Sequence, residues 1–194
     1  MSRVHHVEGV ISAAEMIRRE VFPHLDKDEV YRAALYHDHT KEMDQFFLME
    51  KYGISDEELK RSPAVIHAFT AAEFLKEKGE GEGVINAVRY HTTGRPDMTE
   101  IEKIIFVADY IEENREYESC KKARNTYLQE EKTVKNLDKL IYTILKNTVD
   151  HLKEKKSYVH PLTIETMKWY ENDKRETINE KTTPRKKLRV KSEK

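Results

Sequence analysis

The chain has little of what most non-helical fold classes require. Its 194 residues include only six Gly and five Pro, too few for the many tight turns of a β-sandwich or a loop-rich fold. Cys120 is the single cysteine, so an intrachain disulfide is excluded and a reducing compartment is expected. The apolar runs are far shorter than the roughly 20 residues of a membrane span, and the start shows no apolar signal-peptide region. We therefore expect a cytoplasmic protein that does not bind membranes.

Charge is what the sequence has in abundance. Charged residues make up 37% of the chain and hydrophobic ones 38%, a mixture typical of amphipathic helices. The net charge of −1 is unevenly spread, since residues 173–194 hold nine Lys or Arg against four Asp or Glu, and the preceding residues therefore carry −6. We interpret 173–194 as a basic, disordered tail and 1–172 as one domain. The acidic domain argues against nucleic acid as the main partner.

Helical periodicity covers most of the domain, and no segment shows the alternation of a strand. Capping signals mark three helix starts, at Ser55 with Glu58, Ser62 with Pro63, and Thr99 with Glu102. The stretch 113–132 is polar and has no clear assignment. The predicted architecture is all-α, a single-domain helical bundle, with helices over residues 4–20, 27–37, 42–51, 62–79, 82–91, 99–112, 134–155 and 162–172.

Five predicted helices carry a titratable side chain on the apolar face. His37 lies seven residues after Val30, and Asp109 lies four residues after Ile105, which directs both toward the core. Any one such group is most simply a core histidine bonded to a carbonyl, or half of an ion pair. Five helices that share one core should bring all of them together, and without a cation they would be poorly satisfied. The set consists of His6, His37, Asp38, His67, His91 and Asp109.

A divalent metal site between the central helices would satisfy these groups. Imidazole and carboxylate donors without thiolate suit iron, manganese, cobalt, nickel or zinc. The order of the motifs resembles the HD-domain metal-dependent phosphohydrolases, and in particular the YqeK type, the symmetrical diadenosine tetraphosphatases. The resemblance covers nearly the whole domain and is carried by RVHHVEGV (3–10), LYHDHTK (35–41), IHA (66–68), AVRYHTTGRPDMTEIEKIIFVADYIEENR (87–115) and VHPLTIE (159–165).

The resemblance implies a definite set of ligands. It implies one or two divalent metals, with iron favoured and manganese, cobalt, nickel, magnesium or zinc as alternatives. Asp38 has two carboxylate oxygens and is expected to bridge the two sites. The first metal would be held by His6, His37, Asp38 and Asp109, and the second by Asp38, His67 and His91.

The resemblance also implies a reaction, in which a metal-activated hydroxide cleaves diadenosine tetraphosphate to two ADP. The catalytic residues would be Asp38, Lys41, His67 and His91. The nucleotide is the expected partner, and a second copy of the chain is a further candidate. The expected substrate-binding residues are Arg3, Lys41, His67, His91, Thr92, Thr93, Gly94, Arg95, Arg115, Tyr158, Val159, His160 and Thr163.

Three alternatives stay open on the sequence alone. The same ligands would serve another nucleotide, such as a nucleoside di- or triphosphate or a cyclic dinucleotide. A nucleotide-sensing module without turnover is a second alternative, although its ligand set would be expected to be incomplete. A third is nucleic-acid binding through the basic tail, which removal of 173–194 would abolish.

Overall fold

In the computed structural model, the backbone is described for residues 3–182 and the side chains for residues 3–171. The regular structure of that part is entirely helical, which confirms the all-α prediction, and none of its helices is long and apolar enough to cross a bilayer. The helices are α1 Arg3–Val21, α2 Lys27–Tyr36, α3 Gln45–Lys51, α4 Glu57–Arg61, α5 Pro63–Glu77, α6 Glu82–Arg89, α7 Glu100–Ile111, α8 Glu118–Gln129, α9 Val134–Glu154 and α10 Pro161–Thr182.

The centre of the bundle is formed by α1, α2, α6 and α7. Helix α1 packs on α2 and α7, and α6 packs on α2, α5 and α7. Helix α9 covers α7 from outside and also contacts α8 and α10, while α3 and α4 pack against α5. The apolar face predicted for α1 is buried, with Val10 and Ile17 fully inaccessible to solvent. The five helices that carry the predicted ligands therefore belong to one connected set.

Several helices end one or two residues earlier than the periodicity predicts, and two of these ends bear on the site. Helix α2 ends at Tyr36, so that His37 is its C-terminal cap. Helix α6 ends at Arg89, and His91 lies two residues beyond it in a turn. An apolar stripe continues through a helix end without marking it, which explains why periodicity overshoots there.

The capping predictions have mixed outcomes. Glu102 accepts a hydrogen bond from the Thr99 backbone N at 2.8 Å, as the capping-box signal predicts. The box predicted for Ser55 and Glu58 is wrong, because Asp56 caps α4 by accepting from the Glu58 backbone N at 2.8 Å. Helix α3 begins three residues later than predicted, because the Asp44 carboxylate caps it.

Helix α8 occupies part of the stretch that the sequence left unassigned. Its buried stripe consists of Cys120, Ala123 and Tyr127, two of them small or weakly apolar and all embedded in charged residues. Helix α10 continues to Thr182, ten residues past the predicted end at 172. The rest of the predicted disordered tail, 183–194, lies outside the described residues.

Candidate metal centre

Six titratable side chains meet where the central helices converge. His6 comes from α1, His67 from α5 and Asp109 from α7, while the other three follow helix ends. All are buried apart from Asp109, which is half-buried. The set is the one that the sequence predicts: His6, His37, Asp38, His67, His91 and Asp109.

Asp38 lies at the middle of this cluster and faces it in two directions. Its Oδ1 is 3.0 Å from His67 Nε2 and 3.5 Å from His91 Nε2. Its Oδ2 is 3.7 Å from both His6 Nε2 and His37 Nε2. One carboxylate thus has one oxygen for each pair of imidazoles.

The first pair is His6 with His37. Their Nε2 atoms are 3.2 Å apart, and Asp109 Oδ1 lies 3.2 Å from His6 Nε2 and 3.8 Å from His37 Nε2. Two nitrogens bound to one ion at about 2.1 Å are roughly 3.0–3.4 Å apart in common geometries, so this spacing suits a shared ion.

The second pair is His67 with His91, whose Nε2 atoms are also 3.2 Å apart. Together with Asp38 they bring ligand atoms within 4.8 Å of one another. This pair has only one carboxylate oxygen close to it, whereas the first pair has an oxygen from Asp38 and another from Asp109. The second group is therefore poorer in negative charge.

The tautomers of three imidazoles follow from the partners of their Nδ1 atoms. His37 Nδ1 donates to Ala34 O and His91 Nδ1 donates to Val88 O, both at 2.7 Å. His6 Nδ1 lies 3.1 Å from the Glu112 carboxylate, which can only accept. Each neutral ring then presents an unprotonated Nε2 to the centre of the cluster, as a metal-ligating histidine does.

This arrangement fits a bound cation. The lone pairs of His6 and His37 face each other at 3.2 Å and also face carboxylate oxygens, a contact that repels unless positive charge lies between. Asp38 Oδ1 is buried and receives no hydrogen bond of acceptable geometry, although His67 Nε2 is 3.0 Å away. The side chains are thus positioned for a divalent metal site.

Burial and neighbouring charges shift the pKa values of the cluster. Burial, with a contribution from the charge of His91, lowers the pKa of His37 to about 4. Burial acts to raise the pKa of Asp38, but the contacts with the imidazoles of His67 and His91 outweigh it and hold that pKa far below its usual range. Burial acts to lower the pKa of His6, but its contacts with Asp109 and Glu112 outweigh burial and raise that pKa. Metal binding requires the imidazoles to be neutral and the carboxylates to be ionised.

Three cations surround the cluster on its open side. Lys41 Nζ lies 2.7 Å from Asp38 Oδ2, and the Arg3 guanidinium donates to the Asp38 carbonyl. Arg115 Nη2 is 2.5 Å from Asp109 Oδ1. Burial acts to raise the pKa of Asp109, but the charge of Arg115 outweighs it and holds the pKa well below its usual range.

A cavity of about 620 Å³ opens directly beside the cluster, and we call it the side cavity. Its size suits a nucleotide-sized ligand, since small-molecule sites commonly measure about 300–1,000 Å³. Three of its lining residues belong to the cluster or contact it, and we call the part that they line the inner end: His6, Lys41 and Arg115. Its lining is completed by His5, Glu113, Asn114, Glu116 and Tyr117.

Several predicted substrate-binding residues are held by other parts of the fold. Arg95 Nε donates to the buried Glu102 carboxylate at 2.9 Å. The Tyr158 hydroxyl donates to Glu58, and the Arg61 guanidinium lies 3.9 Å from the centre of its ring. These contacts give both residues a structural role, and their role toward substrate stays a prediction.

The loop predicted to bind phosphate is well packed. Thr93 is buried and its hydroxyl donates to Gly94 O at 2.9 Å. Gly94 has a φ of +61°, and a Cβ there would lie 2.7 Å from Thr166 Cγ2 on α10. The remaining candidates differ in burial, with Thr92 and Val159 half-buried and His160 and Thr163 buried.

Sequence reasoning missed Glu112, which supports the cluster from behind. Its side chain is completely buried, and its two oxygens accept from His6 Nδ1 and from the Asn114 backbone N at 2.7 Å. Gly9 makes this possible, because a Cβ at that position would lie 2.2 Å from Glu112 Oε2. The signal available in the sequence was the spacing of Glu112, an acidic residue that lies three positions after the predicted ligand Asp109 on the same helix face.

His39 lies next to the ligands in sequence and received no ligand role in the prediction. Its ring stacks on Phe74, with centroids 4.4 Å apart. His39, the second histidine of the HDH triplet, thus packs against α5. Among the described residues, its ring makes no contact with the other imidazoles.

Comparison with known proteins gives consistent matches. The HD domain family model matches residues 3–114. A protein of Halalkalibacterium halodurans named symmetrical bis(5'-nucleosyl)-tetraphosphatase is 35% identical over 170 residues, covering 84% of this chain and 86% of that protein. A Bacillus subtilis protein of the same name is 33% identical over 174 residues, covering 86% of this chain and 88% of that protein.

A solved structure extends the match to the fold. It is described as a predicted HD superfamily hydrolase involved in NAD metabolism from Clostridium acetobutylicum. It superposes with a TM-score of 0.76 at 27% identity, over 87% of this chain and 88% of that one.

Proposed function

Because the chain belongs to the HD-domain family, we propose that it is a metal-dependent phosphohydrolase that splits diadenosine tetraphosphate symmetrically into two ADP. The observation that carries the proposal is Asp38, whose two oxygens face two separate pairs of imidazoles. The names of the 33–35% identical relatives support the choice of substrate.

The donor set determines which metals are suitable. A divalent metal in such a site supplies water of lowered pKa and neutralises phosphate charge. We infer that iron is preferred, and the lack of thiolate donors leaves manganese, cobalt, nickel, zinc or magnesium as alternatives. His6, His37, Asp38 and Asp109 would hold the first ion, and His67 and His91 with Asp38 the second.

The positions of Lys41 and Arg115 support phosphate binding. Lys41 and Arg115 contact the carboxylates of Asp38 and Asp109 and also line the side cavity, so a phosphate bound there would meet both. Charge-assisted bonds from such groups orient a phosphate and stabilise the charge it develops. The leaving group is ADP, whose terminal phosphate has a pKa of about 6, so the reaction does not depend on a strong general acid.

Some expectations from the sequence belong to the same proposal. Arg3, which donates to the Asp38 carbonyl, would contribute to phosphate binding, and Tyr158, Val159 and His160 would contact a nucleoside. The cytoplasmic location and a homodimer are likewise proposed on the sequence alone.

The test is metal analysis of the purified protein followed by a substrate panel. We expect one or two equivalents of bound metal and ADP as the product from diadenosine tetraphosphate. Asp38→Asn should lose metal and turnover while keeping the helical circular-dichroism spectrum, because it removes the shared ligand charge. Asp150→Asn is the matched control, since that residue forms an exposed pair with Lys146 on α9.

Each other outcome points to a different function. Turnover of cyclic dinucleotides or nucleoside triphosphates in place of diadenosine tetraphosphate would replace the substrate and keep the chemistry. Tight nucleotide binding without any turnover would indicate a sensing module. Full activity of Asp38→Asn would refute the proposed metal centre.

A further inference from the structure

The side cavity has a wall that the reaction centre does not require. This wall, between α7 and α8, consists of Glu113, Asn114, Glu116 and Tyr117, while His6, Lys41 and Arg115 form the inner end. The cavity thus begins at the proposed metal ligands and leads away from them. A substrate whose phosphate lies at the inner end would have its continuing part directed along this wall.

The wall is fixed by hydrogen bonds before any ligand arrives. Arg124 on α8 donates to the carbonyl oxygens of Ile111, Glu112 and Arg115. Asn114 Nδ2 donates to His5 O at 2.9 Å and ties the loop to α1. A binding surface held in place in this way loses little conformational entropy when it binds.

Tyr117 presents an aromatic ring on this wall. The residue is 72% exposed, the largest exposure among the large hydrophobic side chains of the described residues. Within the part of the chain that the structure describes, its side chain has no hydrogen bond and no ring contact. An exposed ring on a rigid loop suits stacking of a planar base, which any purine can provide.

The charged residues of the side cavity suit a nucleotide, with basic groups for its phosphates in one part and acidic groups in another. Lys41 and Arg115, at the inner end, pair with carboxylates of the cluster, whereas Glu113 and Glu116 belong to the wall. Glu116 is paired with Lys121 at 2.7 Å, so Glu113 contributes most of the unbalanced negative charge. A phosphate is therefore favoured beside Lys41 and Arg115 and disfavoured beside Glu113, where a neutral nucleoside fits better.

Resting on the proposed function, we propose that the side cavity binds the second nucleoside of the dinucleoside tetraphosphate, with its base stacked on Tyr117. The site then selects substrates that carry a nucleoside at both ends of the phosphate chain. A nucleoside tetraphosphate would place a free terminal phosphate beside Glu113 and would gain nothing from Tyr117.

The test compares Tyr117→Ala and Tyr117→Phe on two substrates, diadenosine tetraphosphate and adenosine tetraphosphate. With alanine we expect KM for diadenosine tetraphosphate to rise roughly tenfold or more, with kcat retained, while values for adenosine tetraphosphate stay unchanged. Phenylalanine keeps the ring and should behave as wild type. Phe47→Ala is the control, because Phe47 is an exposed aromatic residue on α3 that does not line the side cavity.

A second variant tests the charge argument. Glu113→Gln should improve the relative kcat/KM for adenosine tetraphosphate severalfold, because the repulsion of its terminal phosphate is removed. Calorimetric titration of the protein with diadenosine tetraphosphate after metal removal gives a readout independent of turnover. There Tyr117→Ala should weaken binding by the same factor as the KM change.

The outcomes separate this inference from the proposed function. If the wild type cleaves neither tetraphosphate, the proposed function fails, and the titration still decides whether Tyr117 binds a base. If Tyr117→Ala leaves diadenosine tetraphosphate binding and KM unchanged, or weakens both substrates equally, the second-nucleoside site is refuted.

Discussion

Replacing Gly9 by alanine should damage the metal centre from a position that touches no ligand atom directly. Gly9 lies on α1, three residues after His6. A Cβ there would lie 2.2 Å from Glu112 Oε2 and 2.9 Å from Asn114 Nδ2, distances that packed atoms do not adopt. The Glu112 side chain is completely buried, so it has no free space in which to rotate away.

The expected magnitude follows from the bonds that Glu112 would lose. In an ordinary helix interior, Gly→Ala stabilises by roughly 0.5–1 kcal/mol. Displacing Glu112 removes its bonds to the Asn114 backbone N and to His6 Nδ1, each worth about 1.5–3 kcal/mol because one partner is charged. The net effect is a destabilisation of about 2–5 kcal/mol.

Metal affinity should fall as well. Without an acceptor at Nδ1, the His6 ring loses both its orientation and its fixed tautomer, and loss of such outer partners typically weakens metal binding about 10–100-fold. The assay is calorimetric titration with Mn²⁺, together with urea unfolding of the same variants. Gly83→Ala is the matched control, because Gly83 lies in α6 and a Cβ there would meet only Ile101 Cγ2 at 3.9 Å.

The control should be as stable as wild type or slightly more so, with unchanged metal affinity. A Gly9→Ala protein with wild-type metal affinity and higher stability would refute the role assigned to Glu112. The double variant Gly9→Ala/Glu112→Ala adds a further check, since both changes act through one contact and should cost little more than Glu112→Ala alone.

Two further predictions concern acid stability and the tail. The pKa of His37 is about 4 in the folded protein against an ordinary histidine value of 6.5. The neutral His37 ring therefore makes its full contribution to the free energy of unfolding above pH 6.5, and this contribution is lost as the pH falls toward 4. In metal-stripped protein this contribution is about 3 kcal/mol. The assay is urea unfolding of wild type and His37→Gln at pH 7 and pH 4.5. The free energy of unfolding should change less with pH in the variant than in wild type. Truncation after Thr182 should leave hydrolysis unchanged in a phosphate-release assay, and a loss of activity would give the basic tail a role in the reaction.

The sequence was sufficient to predict which side chains cluster, because several of them stand at helical spacing from buried apolar residues. His37 and Asp109 stand at i+7 and i+4 from buried apolar residues, and helical geometry carries such positions inward whatever the rest of the fold does. The convergence of five helices was an inference from the size of the domain. It holds because a bundle of this length has one core, in which α1, α2, α5, α6 and α7 are neighbours.

The supporting contacts could not be predicted in the same way. Glu112 reaches His6 across more than 100 residues of sequence, and only the packing of α1 on α7 brings the two together. The same holds for Arg124, which fixes the wall of the side cavity from α8, a helix whose apolar stripe was too weak to recognise. Long-range polar contacts leave no periodic signal in either partner.

The helix end after Tyr36 explains how adjacent residues can serve one centre. Successive side chains in an α-helix point about 100° apart, so His37 and Asp38 would diverge if α2 continued. Because the backbone instead turns, with the Lys41 backbone N donating to Asp38 O at 3.1 Å, Asp38 can face two imidazole pairs while His37 stays bonded to Ala34 O. A histidine–aspartate doublet in mid-helix lacks this freedom. The end of α2 at Tyr36 therefore accounts for the position of this doublet at the centre of the cluster.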